Sequence, residues 1–237
     1  MKKIVFIGAG SIIFVKNLIG DCMLTPSLCD SEFALLDINR EKLYLAEGML
    51  KNLNRNVNGG RATVKAYESQ REALAGADFV INAIQVGGYD PCIINDFEIP
   101  LKYGLRQTYA DTLGIGGIMR GLRTIPVMKG ITDDMEELCP NAWLLNYTNP
   151  MAIVTGAVLK SSSIKTIGLC HSVQSCTKNL MDVVGMDCTG VEYKIAGINH
   201  QAWLLEVTKD GRDLYPEIKA RAAQLTEPHE DMVRYEI

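Results

Sequence analysis

The chain has little histidine, three in 237 residues, and no excess of basic charge, with 24 lysines and arginines against 28 acids. A net charge of -4 and a pI near 5.5 leave no basic field for nucleic acid or anionic lipid. No apolar run approaches the roughly 18 residues that suggest a membrane span. Met1-Lys2-Lys3 passes straight into Ile4-Val5-Phe6-Ile7-Gly8, an apolar segment too short for a signal peptide and without a small-residue cleavage site. The expected compartment is therefore the cytoplasm. A paired cysteine framework is also missing: Cys22, Cys29, Cys92, Cys139, Cys170, Cys176 and Cys188 are odd in number and irregular in spacing, which points to reduced thiols. With 47% hydrophobic and 22% charged residues, the chain can bury a sizeable core in one or two domains.

Strands and helices alternate from the start. Lys3-Ile4-Val5-Phe6-Ile7 is a β-branched run suited to a parallel strand buried on both faces, and Gly8-Ala9-Gly10-Ser11 follows it. Glycines at 8 and 10 let a backbone turn tightly and approach a pyrophosphate, whose charge then meets the N–H groups of a helix starting near Ser11. Ile13 stands where the fingerprint has its third glycine. An ordinary βα turn reads the same locally. The strand from Glu32 ends in Asp37, placed to accept ribose hydroxyls and to repel a 2′-phosphate, which favours NAD over NADP. A helix from Asn39 to about Asn54, a short strand at 62–66, a turn of helix at 71–74 and an apolar strand at 77–83 continue the pattern of a doubly wound parallel sheet. A helix is expected between Asp96 and Gly104. The glycine-rich stretch 109–120 then reads as a loop able to wrap a polar ligand or as a plain helix–helix connection, and the next helix runs through Arg123 to about Cys139. Trp143 to Pro150 is a fifth strand and its turn, in which the amide of Asn149 can bind a sugar hydroxyl or a nicotinamide ribose, or else form an Asx turn into the next helix. A helix at 151–160, a strand at 165–169, two β segments at 191–198 and 202–208, a hairpin turn at 209–212 and a charged helical tail complete the chain.

Two of the three histidines fall in short stretches, Cys170-His171-Ser172 and Asn199-His200. A thiol and an imidazole, each at the mouth of an apolar run, are the donors a divalent transition metal selects. A buried thiol beside a structural histidine is the plain alternative. A zinc centre of Cys170, His171 and Cys176 would need a fourth ligand.

With these motifs in view, the sequence resembles glycoside hydrolase family four, and within it the melibiase-type branch acting on non-phosphorylated α-galactosides. The stretches that carry the resemblance are Phe6 to Ser11, Ala110 to Gly114, Asn146 to Met151, Leu169 to Gln174 and Gly197 to His200, in that order along the chain. The resemblance implies a Rossmann-type doubly wound sheet of the lactate and malate dehydrogenase kind over residues 1–195. Residues 196–237 would open an α+β substrate and metal domain that continues beyond this sequence. It implies NAD held by Gly8, Gly10, Ser11, Asp37 and Asn149, and manganese or another divalent metal held by Cys170 and His200. The chemistry implied is hydride removal from C3 of a sugar, elimination, water addition and return of the hydride. Asn149 would hold the sugar, His171 would assist the leaving group, and Asp111 would raise the basicity of a catalytic tyrosine lying past Ile237. The parent would be a homo-oligomer acting on a small sugar, without nucleic acid or membrane partners.

An α-glucosidase of the same family is the nearest alternative. A lactate- or malate-type dehydrogenase shares the sheet and the Asn-Pro turn, but the sequence has no evident histidine and paired-arginine constellation for a 2-oxo acid. A nucleotide-binding module without catalysis is the third reading.

Overall fold

The computed structural model of the chain describes residues 1–106 and 112–225. It divides into two compact units, Met1–Leu169 and Cys170–Ile237. The expected division after residue 195 lies further along the chain than this boundary.

The first unit carries strands β1 (Lys3–Ile7), β2 (Glu32–Leu36), β3 (Thr63–Tyr67), β4 (Phe79–Asn82), β5 (Trp143–Asn146) and β6 (Lys165–Gly168). All are parallel, in the order β3-β2-β1-β4-β5-β6. The strand order reverses beside β1, which opens a crevice at the carboxyl ends of β1 and β4, where such sheets bind ligands. Helices α1 (Ile12–Leu24), α2 (Arg40–Asn58), α3 (Gln70–Leu74), α4 (Ile94–Lys102), α5 (Gly114–Leu138) and α6 (Met151–Ser161) connect the strands. Alternate residues of a strand point to opposite faces, so one sheet has two cores. Ile4, Phe6, Phe33, Leu35 and Ile81 pack with Val15, Ile19 and Met23 of α1 and Leu43 and Leu50 of α2. Val5, Ile7, Ala34, Val80 and Leu144 pack with Met128, Ile131 and Met135 of α5 and Val154 and Val158 of α6. Burial on both faces explains why β1 and β2 read as continuous apolar runs.

Local signals set several boundaries. Asn39 caps α2 by accepting the Lys42 N–H at 3.0 Å, and Gly59 ends it at φ 62. That helix runs to Asn58, one turn past its expected end near Asn54. The larger correction concerns the glycine-rich stretch. Residues 107–111 lie outside the described part, but from Gly114 onward the chain is helical, and α5 begins nine residues before Arg123. A Cβ on Gly117 would lie 2.6 Å from the backbone carbon of Thr112, and one on Gly121 2.8 Å from Ile153 Cγ2. These glycines allow close packing at the start of α5 and against α6, and they belong to a helix, not to a loop.

The second unit contains α7 (Ser172–Val183), β7 (Glu192–Ile198), β8 (Gln201–Lys209), β9 (Arg212–Asp213) and α8 (Tyr215–Ala222). The strands form an antiparallel sheet in the order β7-β8-β9. Met181, Val184, Val207, Leu214 and Ile218 make its core. Helix α7 was not foreseen. The Asp210-Gly211 turn between β8 and β9 has positive φ at both residues, 51 and 75, as the tight hairpin turn with Asp-Gly demands. The described tail stops at Leu225, so the helix expected from there to Ile237 lies outside the described residues.

Candidate functional site

In the first unit the turn after β1 lies tightly on its neighbours. The N–H groups of Gly8 and Ala9 both donate to Leu36 O, at 2.9 and 3.1 Å, which ties the turn to the end of β2. Gly8 has φ 92, and a Cβ there would sit 2.6 Å from Ala83 O after β4. The Gly10 N–H donates to Asp37 Oδ2 at 2.6 Å, while Asp37 Oδ1 accepts the Asn39 N–H at 2.8 Å. A Cβ on Gly10 would approach Asp37 Oδ2 to 2.7 Å. Asp37 therefore clamps the glycine turn, and each carboxylate oxygen keeps a second lone pair for a hydroxyl donor. Ser11 starts α1 without a side-chain cap bond, and the first turn of that helix carries no acid. A helix start left in this form suits an anion such as a pyrophosphate. Ile13, at the missing third glycine, is 75% exposed, so its side chain does not press on the sheet. These features fit a dinucleotide.

Beside this turn, at the ends of β4 and β5, lies a polar network that was not foreseen. Asn82 and Asn146 are register partners, and Asn82 Nδ2 donates to Asn146 Oδ1 at 3.0 Å and to Thr148 Oγ1 at 2.9 Å. The Thr148 N–H donates to Asn146 Oδ1 and its hydroxyl to Ile84 O, at 3.1 and 3.0 Å. Asn82 Oδ1 is buried without a partner. Two asparagines ending otherwise apolar strands were the available sequence signal. Asn149 follows, half-buried, with its Oδ1 accepting the Met151 N–H at 3.3 Å in a turn into α6.

In the second unit the structure brings Cys170 and His200 together: Sγ lies 3.7 Å from Nε2. An ion about 2.3 Å from a thiolate and about 2.0 Å from an imidazole nitrogen would hold those atoms about 3.5 Å apart at a tetrahedral angle, so the pair fits one metal. Cys170 precedes α7, and its sulfur accepts the Ser172 N–H at 3.4 Å and lies 3.2 Å from Ser172 Oγ. The positive end of the helix thus meets the atom that carries the thiolate charge. His200 is the second residue of the two-residue turn between β7 and β8 and has φ 65, a left-handed conformation uncommon outside glycine. Gly197 makes that hairpin compact, since a Cβ there would lie 2.5 Å from Ala202 Cα.

His171 is exposed at the N-cap of α7, where its carbonyl accepts the N–H groups of Gln174 and Ser175, both at 3.0 Å. Cys176 is exposed, and among the described residues no three His, Cys, Asp or Glu side chains gather, so the zinc centre of Cys170, His171 and Cys176 is not formed. Asp111 lies outside the described residues.

Fold and site together define a Rossmann-type α/β protein of the lactate and malate dehydrogenase kind, with a thiol and imidazole pair suited to a metal. The chain belongs to the family 4 glycosyl hydrolases, which residues 3–186 match, and residues 195–237 match the C-terminal domain of that family. It is 60% identical over 238 aligned positions to the α-galactosidase of Bacillus subtilis (strain 168), covering 100% of this chain and 55% of that protein. The chain thus spans about half the length of the curated relatives it matches. A solved 6-phospho-α-glucosidase from gut microorganisms, in complex with NAD and Mn2+, superposes with a TM-score of 0.82 at 25% identity, covering 93% of this chain and 51% of that one. A malate dehydrogenase from Plasmodium falciparum matches at a TM-score of 0.67 and 17% identity over 93% of this chain and 63% of its own, a likeness of fold alone.

Proposed function

We propose that the protein carrying this chain is an NAD- and manganese-dependent α-galactosidase, which hydrolyses terminal α-galactosides by oxidation at C3, elimination, water addition and re-reduction. The observation that carries the reading is the Cys170–His200 pair, 3.7 Å apart with His200 held in a left-handed backbone. Family membership and the 60% identity to an α-galactosidase support the sugar and the reaction.

The start of α1 meets the pyrophosphate, and the side-chain-free turn at Gly8 and Gly10 lets the backbone approach it closely. Asp37 accepts the adenosine ribose hydroxyls and its charge excludes a 2′-phosphate. Asn149 offers its amide to a sugar hydroxyl or the nicotinamide ribose. Cys170 and His200 hold the divalent metal. When bound, NAD supplies the hydride acceptor and donor, and the metal supplies a Lewis acid for the sugar oxygens. His171, exposed at the N-cap of α7, protonates the departing oxygen, and Asp111 strengthens a tyrosine base. The same reading makes the protein a cytoplasmic homo-oligomer acting on a small sugar; among the described residues no helix is long and apolar enough to cross a membrane.

The test is hydrolysis of p-nitrophenyl α-galactoside and its α-glucoside epimer by the protein carrying this chain. Turnover of the galactoside is expected only with NAD, Mn2+ and a reductant present together. Activity that survives removal of both NAD and metal sinks the mechanism, and faster turnover of the glucoside sinks the sugar assignment.

A further inference from the structure

Cys170 touches more than its metal partner. Two groups of one residue converge on its sulfur, the Ser172 N–H at 3.4 Å and the Ser172 hydroxyl at 3.2 Å. Ser172 is the first residue of α7, so its backbone is fixed by a twelve-residue helix. It is half-buried, as is Cys170. A metal-bound cysteine is a thiolate, which only accepts, so the serine hydroxyl then donates to it. Two donors from one rigid residue fix the direction of the sulfur lone pairs and draw charge from them. His200 is constrained separately, by its turn and by Gly197. The two ligands are thus each held in place before an ion arrives, and outer hydrogen bonds of this kind govern metal affinity.

We propose that Ser172 is a positioning residue for the metal centre, orienting the Cys170 thiolate and lowering the energy of its lone pairs through the hydroxyl and N–H. The proposal rests on the metal assignment made above. It predicts that Ser172→Ala keeps the fold and NAD binding but loses one of two donors to sulfur. Loss of an outer-shell partner weakens metal binding by about 10- to 100-fold. It also raises the sulfur donor orbital, so the sulfur-to-metal charge-transfer band of a Co2+-loaded protein moves to lower energy.

The experiment titrates Co2+, and then Mn2+ in competition, into the metal-free protein carrying this chain, its Ser172→Ala variant and its Cys170→Ala variant. NAD affinity is measured on each as a control of folding. The expected result is no charge-transfer band for Cys170→Ala, and for Ser172→Ala a red-shifted band with a dissociation constant at least about tenfold higher. An unshifted band in Ser172→Ala overturns the role of the serine while leaving the metal site standing. A Cys170→Ala variant that binds Co2+ with the same band as the unaltered protein overturns the metal assignment and the inference with it.

Discussion

A histidine in the left-handed region costs about 1–2 kcal/mol relative to an ordinary backbone, and the turn at His200 would be relieved of that cost by glycine. Such strain persists where a side chain has work that glycine cannot do. In the proposed metal site that work falls to the imidazole Nε2, 3.7 Å from Cys170 Sγ. Without metal, His200→Gly should therefore be more stable to urea than His200→Ala by about 1–2 kcal/mol, since both lose the ring and only alanine keeps the strain. Both variants should lose Mn2+ binding. Equal stability of the two would show that the turn is not strained. The choice of Cys170 and His200 came from the family resemblance, since residue types alone also allowed a structural pair or a zinc centre with His171 and Cys176. The conformation of His200 and the bonds from Ser172 were not legible in the sequence, because a turn's φ and a hydroxyl's direction depend on strand register and on where α7 starts.

Among the elements, the glycine-rich start of α5 shows where pattern reading fails. Glycine is a poor helix former by about 1 kcal/mol relative to alanine, so several together read as a loop. Their reason is close packing: at Gly117 the backbone of Thr112, just before the helix, stands 2.6 Å from where a Cβ would be, and at Gly121 the side chain of Ile153 in α6 stands 2.8 Å away. Neither approach shows in the pattern of residue types. Gly130, in the same helix, has nothing within 4 Å of its Cβ position. The two sites should respond with opposite signs. Gly130→Ala is expected to stabilise the protein by up to about 1 kcal/mol through helix propensity. Gly117→Ala should destabilise it by about 1–3 kcal/mol, because a fixed backbone cannot yield as a side-chain tip can. Urea unfolding of the two variants checks this, and stabilisation by Gly117→Ala would contradict the packing role. The glycine turn after β1 was legible for the opposite reason, since strand, glycines, helix and a later acid occur within one local unit. The clamp from Asp37 to Gly10, at 2.6 Å, adds to that reading a bond the sequence could not specify.

At the scale of the whole molecule, the alternation of apolar strands and amphipathic helices predicts a parallel doubly wound sheet, and the observed order β3-β2-β1-β4-β5-β6 agrees. Burial on both faces makes such strands easy to recognise, whereas β7 and β8, largely exposed, read only as β-rich segments. The compact units divide after Leu169, ahead of α7, whereas the two family domains meet between residues 186 and 195. The family sets the reaction apart from glycosidases that use two carboxylates. In the reaction proposed above, oxidation at C3 makes the C2 proton acidic; a base removes it, and a solvent-derived proton is placed at C2 as water adds, before the hydride returns. The most direct test is hydrolysis of an α-galactoside in D2O by the NAD- and Mn2+-loaded protein carrying this chain, with NMR analysis of the galactose released. The account predicts deuterium at C2 of the product; full-rate hydrolysis that leaves only protium at C2 would contradict it.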